Sequence, residues 1–210
     1  MQVDVLCAQE HNLDTTQFLI RSVLYDTANK HWQRSKLVLG TTPITFKSSY
    51  NPGGTLITTV DSTTSRIMKQ VRDRWGRWVL QELTGRGNRR LIVVSTYQPP
   101  VDKTAQPGWI TVASQQVSLF TATKDPTTNP RTAFQRDLLI MLEEYKKQGY
   151  LIILMGNFNE PLGSDPDGIT KVAADIGLID IMKRRHSSTP PATYARGSTR
   201  LDYILTSPEV

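Results

Sequence analysis

Cysteine is almost missing from these 210 residues: Cys7 stands alone. That excludes an internal disulfide framework and a cysteine-rich zinc site, and it fits a reducing, intracellular setting. Long apolar runs are also missing. None approaches the roughly 20 residues of a membrane span, and the opening MQVDVLCAQE has neither the basic stretch nor the apolar core of a signal peptide. The expectation is therefore no membrane partner. Histidine is scarce, with only His11, His31 and His186. Repeats, low-complexity segments and linkers are absent as well, so one α/β domain spanning 1–210 is expected. Hydrophobic residues at 38% and charged residues at 21% argue against disorder.

What the sequence does have is an uneven positive charge. The formal net charge is +6. Residues 66–90 alone carry Arg66, Lys69, Arg72, Arg74, Arg77, Arg86, Arg89 and Arg90 against Asp73 and Glu82. A second stretch, 183–200, holds Lys183, Arg184, Arg185, Arg196 and Arg200 and no acid. Charge separated in this way can make a cationic face, and nucleic acid is one natural target.

Periodicity sets out the elements. Val3–Ala8 reads as a strand and 14–27 as a helix capped by Asp14 or Thr15, with Phe18, Leu19 and Val23 facing inward. Strands follow at 36–40 and Thr55–Val60, with a turn at 52–54 between them. Residues 65–72 and 77–83 form a hairpin around Asp73–Gly76, a Gly- and Arg-rich loop spans 84–90, and Leu91–Thr96 is another strand. The helix 130–148 has Asn129 as cap, Pro130 at its first position, Gly149 as stop, and one apolar stripe through Phe134, Leu138, Met141, Leu142 and Tyr145. Tyr150–Met155 is apolar without alternation, a strand covered on both faces. Residues 167–183 read as a helix interrupted at Gly177, and Leu201–Leu205 closes the series.

Polar residues cluster where these strands end. Glu10 follows the first strand, Tyr97 the Leu91–Thr96 strand, and Asn157 and Asn159 the Tyr150–Met155 strand, while Asp202 lies within the last. Groups at strand ends are held rigidly and can converge on one cleft. Each also has a plain reading, as a solvated strand end, a packed tyrosine or a Gly/Asn turn. Asp202, inside LDYIL, needs a partner if buried.

Five segments then occur in a telling order: DVLCAQE at 4–10, GGTLI at 53–57, STYQPP at 95–100, LMGNFNE at 154–160 and STRLDYIL at 198–205. Together they resemble the endonuclease/exonuclease/phosphatase superfamily, the group of DNase I and the abasic-site endonucleases. The Arg-rich middle and the SQQ to NPRTAFQRDL region resemble endonuclease domains of mobile elements. The resemblance implies a four-layer α/β sandwich, two mixed sheets face to face with helices outside. It implies hydrolysis of DNA phosphodiesters by water with Mg²⁺ or Mn²⁺. By the same resemblance Glu10 binds the metal, Tyr97 contacts the phosphate or leaving group, Asn159 hydrogen-bonds the phosphate, and Asp202 supports the catalytic centre. Arg74, Arg77, Arg86, Arg89 and Arg90 would track the DNA backbone, with Trp75 or Trp78 near a groove or base.

Three departures from the family pattern stand out. Its GDFN is here GNFN, so Asn157 replaces an aspartate and cannot take a proton from water. Its late Asp-His pair is absent, and His186 in KRRHSS reads as a surface residue. Its first, Asn-bearing strand is also absent, so the domain is expected to lack a strand at each end. Three functions remain open: a metal-dependent DNA endonuclease weakened by these losses, a silent nucleic-acid-binding relic, and a phosphatase of small or lipid phosphates. The expected form is a monomer or one part of a longer multidomain chain, with the nucleus as the place of action for a genome-cutting enzyme.

Overall fold

Alternate residues of each central strand go to different layers, and that alternation generates the architecture. The computed structural model describes residues 3–43, 50–102, 104–106, 110–123, 125, 128–186, 190–194 and 197–210. In chain order the elements are β1 (Val5–Gln9), α1 (Phe18–His31), β2 (Ser35–Gly40), β3 (Thr55–Val60), β4 (Ile67–Arg72), β5 (Trp78–Thr84), β6 (Arg90–Tyr97), α2 (Val112–Ala122), α3 (Pro130–Lys147), β7 (Leu151–Asn157), α4 (Ile169–Ile176), β8 (Ile179–Asp180), α5 (Ile181–His186) and β9 (Asp202–Thr206). They form a three-stranded sheet, β1-β3-β2, and a six-stranded mixed sheet, β4-β5-β6-β7-β9-β8.

Val79 and Leu83 of β5 and Val93 of β6 meet Val38 and Ile57 of the smaller sheet, forming the seam between sheets. Their strand neighbours Trp78, Leu80, Ile92, Val94, Ile152 and Leu154 point the other way, against Phe134, Leu138 and Leu142 of α3. On the far side, Leu37 and Leu39 of β2 pack on Ala28 of α1. The layers are thus helix, sheet, sheet, helix, the four-layer sandwich expected.

The well-marked elements fall where their end signals put them. In α3, the Asn129 side chain accepts from the Arg131 and Thr132 backbone N–H groups, and Pro130 opens the helix. Elsewhere the expectations need correction. The first helix starts later, at Phe18, and its inward contacts come from Leu24, Tyr25 and Ala28. Phe18 is 78% exposed because it sits in the first turn; Leu19 and Val23, also exposed, lie on one outward stripe with Asp26 and Lys30. The region 167–183 is no single interrupted helix. Gly177, at φ +80°, ends α4, and the chain pairs as β8 before α5. Helix α2 had no apolar stripe to announce it; its inward face includes Ser114, Gln115 and Gln116.

Among the described residues the smaller sheet stops at β1, which pairs there only with β3. β7 is therefore covered on both faces only in part: Ile152 and Leu154 are buried beneath α3, whereas Ile153 and Met155 on the inner face are half-buried. The unfilled space is a cleft of about 330 Å³ lined by Val5, Cys7, Gln9, Met155, Asp202 and Ile204, among others. Burial pushes the Cys7 thiol up to about 12 against a weaker opposing hydrogen bond from Ser95, so it stays a thiol and is no nucleophile.

Gly156 sets the closest approach between two central strands. A Cβ there would lie 2.0 Å from the Thr96 carbonyl oxygen, on backbone that cannot swing aside. Gly156→Ala is expected to cost ~3 kcal/mol or more, a fall of roughly 6–12 °C in thermal midpoint by circular dichroism. An unchanged midpoint would mean that β6 and β7 separate freely.

Candidate functional site

The register of the large sheet brings the strand-end residues into one row. Tyr97 of β6 is opposite Asn157 of β7, and Asn157 is opposite Asp202 of β9. Partners in register on adjacent strands point to the same face, about 4.8 Å apart. Here that face looks inward, since β6 and β7 send Val93 and Met155 the same way. Tyr97, Asn157 and Asp202 therefore line the crevice between the sheets at one end of the sandwich. Glu10, just past β1, comes to that crevice from the other sheet.

Glu10 sits at φ +54° and Asn159 at φ +50°, left-handed backbone that a glutamate rarely adopts. Local hydrogen bonds hold the first turn. Glu10 N–H donates to Gly54 O and Asn12 N–H to Gly53 O, both at 2.9 Å, while Gly53 N–H donates to Asn12 Oδ1 at 2.9 Å. The His11 ring lies where a Cβ on Gly54 would be, 2.3 Å from its Cε1. Its Nδ1 accepts from Leu13 N–H at 3.1 Å, so Nε2 carries the proton to Gly40 O at 3.0 Å. Burial pulls its pKa down, against hydrogen bonds to the Gly40 and Thr55 backbone. His11 is a neutral brace of the Glu10 turn.

Tyr97 is buried with its hydroxyl beside Glu10 and Asn159. Burial first, then hydrogen bonding to Glu10 and its charge, raise the hydroxyl pKa well above that of an ordinary tyrosine; Asn159 pulls the other way. Tyr97 accordingly stays a neutral hydroxyl, a hydrogen-bond donor and no acid, over any working pH. Asn157 Oδ1 accepts from the Asn159 backbone N–H at 2.9 Å, and Asn159 Nδ2 donates to Gln98 O at 2.7 Å.

Behind this row is a buried network that sequence reasoning left unassigned. Glu160 accepts from the Arg131 guanidinium, from Gln98 Nε2 at 2.9 Å and from Ile169 N–H at 2.5 Å, at the start of α4. Gln98 Nε2 also reaches Phe158 O at 2.7 Å. Gln98 follows Tyr97 and Glu160 follows Asn159, so the network ties together the two strand ends that carry the site. Both residues lie inside the STYQPP and LMGNFNE segments; Arg131 lies in the NPRTAFQRDL stretch, which was given no role in the site.

The arginines divide. Arg77 does not face solvent: it is 3% exposed, bonded to Asp73 at 2.8 and 3.0 Å and to Asp137 at 2.9 Å. It is a buried brace of the β4–β5 turn, not a phosphate contact. Trp75 and Trp78 are likewise buried, edge-on to Phe120 and Phe134, so their rings serve the core rather than an exposed stacking face. Arg74 is exposed in that turn, at the Tyr97 end of the sheet. Arg86, Arg89 and Arg90 are at the other end, since β6 runs from Arg90 to Tyr97 over about 23 Å. They lie at the end of the sheet away from the candidate site, whereas Arg74 lies at the site's end. Arg90 is further occupied by the Tyr150 ring and Gln148 O. In the second basic stretch Lys183, Arg184 and Arg185 are exposed on α5, Arg200 pairs with Asp180, and Arg196 lies outside the described residues.

Among the described residues no three His, Cys, Asp or Glu side chains gather to cage a metal ion. The carboxylates of Glu10 and Asp202 fit a hard cation in a looser way, with water and a substrate phosphate completing the shell.

No protein-family model and no curated protein sequence matches the chain. Solved structures do. The 3' phosphatase NExo from Neisseria, bound to a product DNA hairpin, aligns with a TM-score of 0.60 at 15% identity, over 98% of this chain and 77% of that one. The chain has the endonuclease/exonuclease/phosphatase fold. The human Nocturnin catalytic domain aligns at 0.59 and 20% identity, over 98% and 69% of the two chains. The Xenopus laevis APE2 catalytic domain aligns at 0.57 and 16%, over 99% and 75%. Among the described residues, no helix of this endonuclease/exonuclease/phosphatase fold is long and apolar enough to cross a membrane.

Proposed function

We propose that this chain is a metal-dependent phosphodiesterase acting on DNA, slowed by Asn157 in the position of a general base. The observation that carries this reading is the single row of Tyr97, Asn157 and Asp202 facing Glu10. Glu10, with water, would hold Mg²⁺ or Mn²⁺, which when bound neutralises charge on the scissile phosphate and its departing oxygen. Tyr97 remains a hydroxyl, and its one hydrogen, now directed at Glu10, would turn to a phosphate oxygen once Glu10 holds the metal. Asn159, fixed by Gln98 O and Asn157 Oδ1, orients a second polar contact. Asn157 spends its carbonyl oxygen on Asn159 N–H, which leaves an amide nitrogen toward an attacking water. That nitrogen can position the water but cannot take its proton. Asp202 borders the same crevice as the remaining carboxylate.

The resemblance to mobile-element endonuclease domains supports a genome-cutting role in the nucleus, as a monomer or within a longer chain. Asn157, together with the commitment of His11 to backbone groups, supports a second reading: a relic that holds nucleic acid without turning it over. Nicking of supercoiled plasmid in Mg²⁺, in Mn²⁺ and in EDTA tests both. Slow nicking abolished by EDTA is expected. Retention of DNA without any nicking selects the relic, and release of phosphate from soluble phosphate esters without nicking overturns the DNA assignment.

A further inference from the structure

We infer that duplex DNA is gripped across the site by two cationic arms at opposite edges of the large sheet: the β4–β5 turn, with Arg72 and Arg74, and helix α5, with Lys183, Arg184 and Arg185. The inference rests on the nucleic-acid reading above and names the surface that serves it.

Topology places the arms. β4 and β8 are the two edge strands of the six-stranded sheet. β4 ends with Arg72 at the Tyr97 end, because Arg72 pairs with Val79 and Trp78 pairs with Thr96. At the opposite edge β8 runs antiparallel to β9, with Asp180 opposite Leu205, so the chain leaves β8 toward Asp202. Helix α5 begins there, and its Met182 lines the same cleft as Asp202. The five strand spacings between the edges amount to about 24 Å, or about seven base-pair steps of 3.4 Å. The candidate catalytic row lies between them. A small phosphate ester could reach only one arm.

The charges on both arms are unspent. Helix α5 carries no acid, and its three basic side chains are exposed. Asp180, at its start, accepts from Met182 and Lys183 N–H and is engaged by Arg200 at 2.7 and 2.8 Å. Arg200 also donates to the Asp202 carbonyl at 3.2 Å, so the basic helix is tied to a residue of the site. On the other arm Asp73 is neutralised by buried Arg77. Arg74 lies over the Trp75 ring, 4.5 Å from its centroid, which fixes its planar fork in place. The exposed Asp167 belongs to the loop leading into α4, on the helix side of the sheet, and pairs with Lys171.

The test is salt-dependent binding of fluorescent hairpin duplexes in EDTA, where nothing is cut. Lys183→Gln with Arg184→Gln and Arg185→Gln, and separately Arg72→Gln with Arg74→Gln, are compared with Arg86→Gln plus Arg89→Gln at the far end. Removing three phosphate contacts is expected to lower the slope of log K against log salt by about 2–3 and to weaken binding about ten- to a hundredfold at low salt. The two-contact variant should lose about 2 from the slope, and the far-end variant nothing. A 12-base-pair duplex should feel both arms and a 5-base-pair duplex one. Thermal midpoints near that of the parent confirm intact folding. If the parent binds but the α5 variant keeps its slope, or the far-end variant loses as much, the two-arm surface is wrong. If the parent binds no duplex at all, the nucleic-acid reading falls with it.

Discussion

Asn157→Asp is expected to raise the rate of Mg²⁺-dependent plasmid nicking by about 10²–10⁴-fold, the usual worth of general-base help. The scaffold is ready for it. Asn157 Oδ1 already accepts from Asn159 N–H, and a carboxylate of the same shape keeps that bond. Its second oxygen then replaces the amide nitrogen as the group facing water, and it can take a proton. The added negative charge in the row beside Glu10 and Asp202 also draws a cation more strongly. Tyr97 remains a hydroxyl, because burial and Glu10 already hold its pKa up. The measurement is the initial nicking rate of both proteins with and without EDTA. Equal rates would mean that the amide is not what limits turnover.

Glu160→Ala is expected to destabilise the fold by about 3–5 kcal/mol, the cost of leaving one partner of a buried ion pair alone. The Arg131 side chain is only 12% exposed, and Glu160 is its acid partner. The same substitution strips an acceptor from Ile169 N–H and from Gln98 Nε2. A fall of roughly 6–20 °C in the thermal midpoint is the expected reading. Glu160→Gln keeps an acceptor oxygen and should lose less. A midpoint within a degree or two for the alanine variant would show that the network is ornamental to the fold.

Element ends with a chemical signal were legible in the sequence. The Asn129 cap and Pro130 mark the start of α3 and Gly149 follows its end, and Thr55–Val60 is β3 residue for residue. The site was legible as strand-end positions, but not as a row, because register depends on pairings between strands distant in sequence. Helix α2 was hidden because it buries Ser114, Gln115 and Gln116 where a pattern reading looks for leucine. The role of Arg77 was hidden for a related reason. A charged residue reads as surface until a specific partner appears, and one of its partners, Asp137, is 60 residues away. The arginine-rich window was read as one patch, though the seven-residue strand β5 separates its halves.

The open edge of β1 has a consequence for the strength of the site itself. β1 has a single pairing partner and half-buried inner residues, so its amides should exchange with solvent sooner than those of β6, which is paired on both sides. Glu10 hangs from the end of that strand. Each opening of β1 withdraws the carboxylate from Tyr97, and the affinity for whatever Glu10 holds falls by the fraction of molecules so opened. A ligand engaging Glu10 together with the Asp202 side of the crevice acts as a lateral fastening for β1. It should slow exchange along β1 while leaving β6 unchanged.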